Sequence, residues 1–260
     1  MHGDLEGIAQ STVSKLLVKV AEALAKRRGK YIKFPTEEED RQATKEGFFN
    51  YCNFPGVIGA IDCTHIPIAC PGGPRALYFM NRKNRFSINT QVVCNQEAEI
   101  TNIVARWAGS SHDSRIFNDS KVKHDIETLN EDGTWLLGDG GYTCVPYLMT
   151  PLGKIESRAE ARYNKAQKRG RNIIERLFGM WKRRFPCLTL LRTKVSTTFA
   201  IIIACAVLWN ISRQRNEPDI DADIPEEIPG DDVPHAAAPE QLSRLGKMRR
   251  QKLIRDHFTR

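Results

Sequence analysis

The chain lacks the features that mark several large protein classes. It has no Cys-x-x-Cys pair, and its 7 cysteines are an odd number at scattered positions. That pattern argues against zinc knuckles and against a disulfide framework, and it fits reduced thiols in a reducing compartment. Met1 is followed by polar and acidic residues rather than an apolar stretch, so a secretory signal is not expected. The longest uninterrupted apolar run, 199–209, has 11 residues, short of the ~20 that a membrane-spanning helix needs. It reads as a buried core helix, and no membrane partner is expected. Without secretion, the Asn-x-Ser patterns at Asn118 and Asn210 carry no meaning as glycosylation sites. What is present, 41% hydrophobic and 27% charged residues over 260 positions, is enough for one full core plus an appendage and excludes wholesale disorder.

The formal net charge of +8 is spread unevenly. Residues 217–260 carry 10 acidic and 7 basic residues, whereas residues 1–216 carry 32 basic against 21 acidic. A body this basic suits a polyanion, and a solvated surface with no partner would give the same count. Residues 217–240 are rich in Asp, Glu, Pro and Ala with no Lys or Arg, so the stretch 216–240 is expected to be a disordered acidic linker. Residues 241–260 form a basic tail in which Lys247, Arg249, Arg250 and Lys252 cluster. It reads as a nuclear address, a non-specific DNA contact or a solvated helix end. The nucleus is the expected compartment, with the cytoplasm as the alternative.

Near the start, Val13, Leu16, Leu17, Val20, Ala21 and Leu24 share one helical face, with Ser11 placed as an N-cap. Residues 5–10 read as the end of a preceding helix and a turn. The segment 1–45 is therefore expected to hold a partial helix-turn-helix-like unit and a linker, and a bundle helix would give the same stripe.

The pattern changes from Pro55. Residues 57–61 are a short apolar strand that ends at Asp62. Residues 86–94 alternate, a polar turn follows, and 99–107 complete an antiparallel hairpin. A loop through His112 and Asp113 feeds a short helix, a strand at 135–138 stops at Asp139, and Gly140 and Gly141 turn the chain. Residues 171–185 are expected to be helical, with Ile174, Leu177, Phe178, Trp181 and Phe185 on one face. Glu175 lies at the margin of that face beside Lys168, Arg171, Gly179 and Lys182, where an ion pair is the plain alternative to a functional role.

Asp62, Asp113, Asp139 and Glu175 thus stand at strand ends and helix margins that can converge. Brought together without compensation they would repel and raise one another's pKa values. A divalent cation would relieve this, and an all-oxygen ligand set favours Mg²⁺ or Mn²⁺ over Zn²⁺. A two-ion site of that kind suits phosphodiester cleavage. Each Asp taken singly reads equally as a cap or turn residue. His65 and His112 beside two of them read as proton shuttles or, more simply, as local hydrogen-bond partners.

The ordered strings "GAIDCTHIPI", "NRKNRFSINTQVVCN", "WAGSSHDSRIF", "WLLGDGGY", "LMTPL" and "RYNKAQKRGRNIIERLFGMWKRRFPCL" resemble the DDE endonuclease domain of PIF/Harbinger transposases and their domesticated nuclease relatives. The resemblance covers roughly 55–210 and implies an α/β, RNase H-like domain over 50–215, a central mixed sheet flanked by helices. It implies Asp62, Asp139 and Glu175 as catalytic residues, with Asp113 joining them as metal ligands, and 35 residues between Asp139 and Glu175. It implies Mg²⁺- or Mn²⁺-dependent cleavage of DNA, with strand transfer by an active transposase or non-catalytic DNA binding as the alternatives. A Myb-like DNA-binding partner is a further family expectation. On this reading 81–85 and 165–171 grip phosphates, and Lys182, Arg183 and Arg184 extend the track.

Overall fold

The computed structural model of the chain describes residues 9–129, 131–218 and 238–259. Residues 219–237 of the expected acidic linker, and residues 5–8 of the turn read ahead of the first helix, lie outside the described residues. Among the described residues three helical segments come first: Gln10–Lys26 (α1), the single turn Arg28–Tyr31 (α2) and Glu38–Cys52 (α3). The sheet follows as Val57–Pro67 (β1), Ser87–Cys94 (β2) and Ile100–Ala108 (β3), with helices Asp113–Asn118 (α4) and Lys121–Leu129 (α5) leading to Trp135–Leu137 (β4) and Leu148–Met149 (β5). The long helix Arg158–Arg184 (α6), Val195–Gln214 (α7) and Glu240–Leu253 (α8) complete the chain.

The five strands lie in the order β3-β2-β1-β4-β5. The β1–β2 and β2–β3 pairs are antiparallel, and the β1–β4 and β4–β5 pairs are parallel. This mixed sheet between helices is the RNase H-like α/β architecture. Helices α3, α6 and α7 cover one face through Phe48, Cys52, Ile173, Ile174, Leu177, Ile202 and Trp209. The other face meets α4 and α5 through Ile58, Ile61, Val93, Phe117, Val122 and Ile126. Covered on both sides, β2 is buried at every position, and its polar residues Ser87, Asn89, Thr90 and Gln91 are inside the protein.

β1 is longer than the apolar run 57–61 suggests, so Asp62 sits within a strand rather than at its end. Antiparallel pairing with β2 carries the strand on from Asp62↔Val92 to Pro67↔Ser87 although those residues are no longer apolar. Helix α6 begins at Arg158, well before the stretch expected from 171. Ser157 caps it by accepting from the Glu160 amide, and the Glu160 carboxylate accepts in return from the Ser157 amide. Its first turns bury Tyr163, Ala166, Gln167 and Gly170, too few large apolar residues to show as a stripe. Gly170 lets the helix approach β4, since a Cβ there would lie 2.5 Å from Leu137.

Helix α7 spans 20 residues and has the length and apolarity of a membrane span, but 56% of its most apolar window is buried. Asn210 stitches it to the sheet: its amide oxygen accepts from Ile100 N, and its NH₂ donates to Ile100 O and Tyr31 O. Helix α1 packs on α7 through Ala21 and Ala25, while Leu16, Leu17 and Val20 of the expected apolar face are exposed. Its N-cap is Ala9, with no side-chain cap, rather than Ser11.

The segment read as a basic tail is helix α8 and a further turn, Ile254–Phe258, that docks on the domain. Phe258 packs against Phe54 and Tyr163, and Arg250 donates to Thr150 O and Pro151 O. Arg249 pairs with Asp132. Part of the tail's charge is thus spent on the body, while Lys247 and Lys252 face solvent.

Candidate functional site

The last paired position between the two central parallel strands is Ala60↔Leu137. Asp62 and Asp139 each lie two residues beyond it, so the alternation of side chains carries both toward the same end of the sheet. Asp139 is 9% exposed, and its Oδ1 accepts from Gly141 N at 3.1 Å in the tight turn that follows β4. The Asp62 side chain is 17% exposed, with Oδ1 accepting from Cys63 N at 2.7 Å. Burial, then the charge of Asp139, raises the Asp62 pKa; Arg171 opposes this, Asp113 adds to it, and the result is pushed up to about 8.

Helix α6 brings the third acid. Arg171 Nη2 donates to Glu175 Oε1 at 2.6 Å, and Arg171 Nη1 lies 3.4 Å from Asp62 Oδ2. One guanidinium therefore spans the strand carboxylate and the helix carboxylate. The ion pair that the spacing allowed is present, and its second arm reaches the site. Arg171, expected on a phosphate track, is turned inward instead.

Asp113, the first residue of α4, is held differently. Asn89 Nδ2 donates to its Oδ1 at 2.7 Å. Asn89 pairs across from His65, and Gln91 from Cys63, so Asp113 is bound on the Cys63 side of the sheet while Asp62 projects from the opposite side. It still acts on both Asp62 and Cys63 through its charge.

Around the acids stand Cys63 and Tyr142, which pattern did not single out, and Lys182 and His65, which it did. Cys63 Sγ lies 3.6 Å from Tyr142 Oη, and burial raises the pKa of both groups. Lys182 donates to Thr64 Oγ1 at 2.7 Å and to His65 O at 3.0 Å, and burial lowers its pKa to about 8. It braces β1 rather than extending a surface track, and Arg184 pairs with Glu217. His65 Nδ1 is 3.0 Å from Ser87 Oγ, the local hydrogen bond expected, and burial lowers its pKa. The signal for Cys63 was present only as a neighbour in number, since it follows Asp62, whereas helical spacing already set Lys182 beside Glu175.

Among the described residues, no three His, Cys, Asp or Glu side chains stand close enough to hold a metal ion as they are placed. The chemistry of the donor set nevertheless fits a hard divalent cation. Asp62 and Asp139 are largely buried oxygen donors, the charge of Asp139 acts on Asp62, and the single positive charge of Arg171 leaves Asp62 with a strongly raised pKa. Exposed Lys165, Lys168, Arg169 and Arg176 line the outer side of the same helix.

Residues 61–210, which include all four acids, match the family described as DDE superfamily endonuclease. The chain is 33% identical over 265 residues to the "Putative nuclease HARBI1" of Rattus norvegicus, covering 99% of this chain and 74% of the relative. The protein of the same name from Homo sapiens is 33% identical over 264 residues with the same coverage. "Protein ALP1-like" of Arabidopsis thaliana is 24% identical over 236 residues, 84% of this chain and 57% of the relative. No solved structure matches. DDE endonucleases generally depend on divalent metal. The chain belongs to the DDE superfamily of endonucleases, as a transposase-derived nuclease of the Harbinger type.

Proposed function

We propose that the protein is a divalent-metal-dependent endonuclease that hydrolyses DNA phosphodiester bonds. The observation that carries this reading is the placement of Asp62 and Asp139 two residues beyond the last paired position of the parallel strands, where the charge of Asp139 acts on Asp62, with Glu175 tied to Asp62 through Arg171. Asp62, Asp139 and Glu175 would hold Mg²⁺ or Mn²⁺, with Asp113 adding negative charge from the other side of β1. When bound, the cation supplies Lewis acidity toward water and the phosphoryl oxygens.

The chain's own groups prepare that site. The amides of Cys63 and Gly141 fix one oxygen of Asp62 and of Asp139 respectively. Arg171 holds Glu175 in place and offsets part of the carboxylate repulsion. Lys182 keeps β1 in position just beyond Asp62. The basic residues of 81–85 and the outer side of α6 would bind the DNA backbone. Nuclear localisation and a Myb-like DNA-binding partner belong to the same reading.

A second reading, a DNA-binding protein that keeps the fold without cleaving, is favoured by Arg171 occupying the space between Asp62 and Glu175. Plasmid nicking separates the two. The nuclease reading expects Mg²⁺-dependent nicking by the full chain that disappears in Asp139→Ala. Nicking retained in that variant, or no nicking by the parent under any divalent cation, rules it out.

A further inference from the structure

Beside the carboxylates, the segment between β1 and β2 forms an arm of unusual composition. From Cys63 to Gln96 there is no acidic residue, and Arg75, Arg82, Lys83 and Arg85 all fall in it. The 3₁₀ turn Ala76–Phe79 at its tip exposes two adjacent large apolar side chains, Leu77 at 71% and Tyr78 at 64%. Apolar residues scattered singly on a surface need no explanation, but an adjacent pair in a stretch of chain that carries cations and no acid does.

The arm is fixed to the site rather than free-standing. Tyr78 O accepts from Ser110 N at 3.1 Å, in the loop that delivers Asp113 three residues later. Met80 bridges Phe86, and Asn81 N donates to Arg85 O at 2.9 Å. The Asn81 Oδ1 accepts from Lys83 N and Arg85 N, so its side chain shapes the basic tip. Asn81 Nδ2 then donates to Ser87 Oγ, which in turn meets His65 Nδ1, three residues past Asp62. The charges of Asp113, Arg82 and Lys83 all act on that imidazole.

We propose that Tyr78, supported by Leu77, is a stacking platform for an unpaired base of DNA whose backbone is held by Arg75, Arg82, Lys83 and Arg85. The inference rests on the nuclease reading and deepens it: the preferred substrate would be DNA with unpaired bases next to the cut. Positive charge matches phosphate, and an exposed aromatic face matches a base already out of its stack. A protein partner would account for the apolar pair, but it gives no reason for four cations and no acid in the same stretch of chain. The exposed apolar residues of α1 and α8 lack this combination, because Glu22 lies on α1 and Glu240 on α8.

The test uses the full chain in EDTA, so that binding is read without cleavage. The probes are a fully paired duplex and a duplex with a short bubble carrying 2-aminopurine. Stacking on Tyr78 should quench the probe in the bubble; Tyr78→Ala should abolish the quenching and weaken bubble binding about tenfold, with duplex binding changed by less than about twofold. Tyr78→Phe should behave as the parent, and Arg82→Ala should weaken both DNAs. Equal affinities of parent and Tyr78→Ala for the bubble, or equal losses on both DNAs, overturn the platform while leaving the nuclease reading intact; the first result makes the pair a protein-docking patch. Failure of the parent to bind either DNA at low salt overturns the nuclease reading itself.

Discussion

The carboxylate end of the sheet and the basic arm beside it solve opposite electrostatic problems. At the sheet end, charges of one sign are buried, and Asp62 is left with a raised pKa that Arg171 only partly offsets. On the arm, charges of the other sign stand in solvent on a backbone fixed by its own hydrogen bonds. Buried charge is costly and specific, which suits chemistry; exposed charge is cheap and forgiving, which suits holding a polymer. Separate changes should therefore separate the two roles.

The largest effect is expected from Asp139→Ala. Nicking should fall by on the order of 10²–10³-fold or more, the scale seen when one preorganised electrostatic group is removed, while filter binding to plasmid DNA at low salt persists. If binding is lost in step with nicking, the two regions are not separable.

Next is stability against pH. The folded pKa of Asp62, about 8, lies above its ordinary 3.8. The folded chain therefore keeps a proton that the unfolded chain releases, and in EDTA this group's contribution to stability should fall as pH rises from about 4 to about 8. Asp62→Asn removes the ionisation. It should match the parent near pH 4 and exceed it at pH 8 by several kcal/mol, the order implied by a pKa raised from 3.8 to about 8, measured by urea unfolding. Added Mg²⁺ should stabilise the parent more than the variant at pH 8.

The arm predicts a change of slope rather than a loss. Arg82→Ala and Lys83→Ala should each flatten the plot of log affinity against log salt by about one unit, with Mg²⁺-dependent nicking still measurable at low salt. The smallest effect concerns a thiol away from both regions. Cys187 Sγ lies 3.9 Å from Cys205 Sγ, and that hydrogen bond lowers the Cys187 pKa to about 7 while raising that of Cys205. At pH 7.5, iodoacetamide mapping should show Cys187 alkylated a few-fold faster than the other exposed thiol, Cys70.

Much of the fold was readable from periodicity. The hairpin expected over 86–94 and 99–107 is β2 and β3 to within a residue at each end, because side chains alternate wherever a strand packs on both neighbours. The start of α6 was missed because small and polar residues face the sheet there, leaving no apolar stripe to see. The capping box at Ser157 and Glu160 was the available signal. Of the readings open for the basic tail, the structure shows a helix end, docked because Leu253, Ile254 and Phe258 bury a short apolar face that a count of charges hides.

The candidate site was legible in kind and not in geometry. Which side chains can ligate oxygen-seeking ions, and where strands and helices present them, follow from residue type and local period along the chain. Three things needed the folded structure. Arg171 turns inward between Asp62 and Glu175, Asp113 is anchored on the far side of β1 by Asn89, and Lys182 is spent on bracing Thr64 and His65. Periodicity tells which way a side chain points along its own element. Only strand register and helix packing decide what it meets, and in a buried site the partner sets the charge.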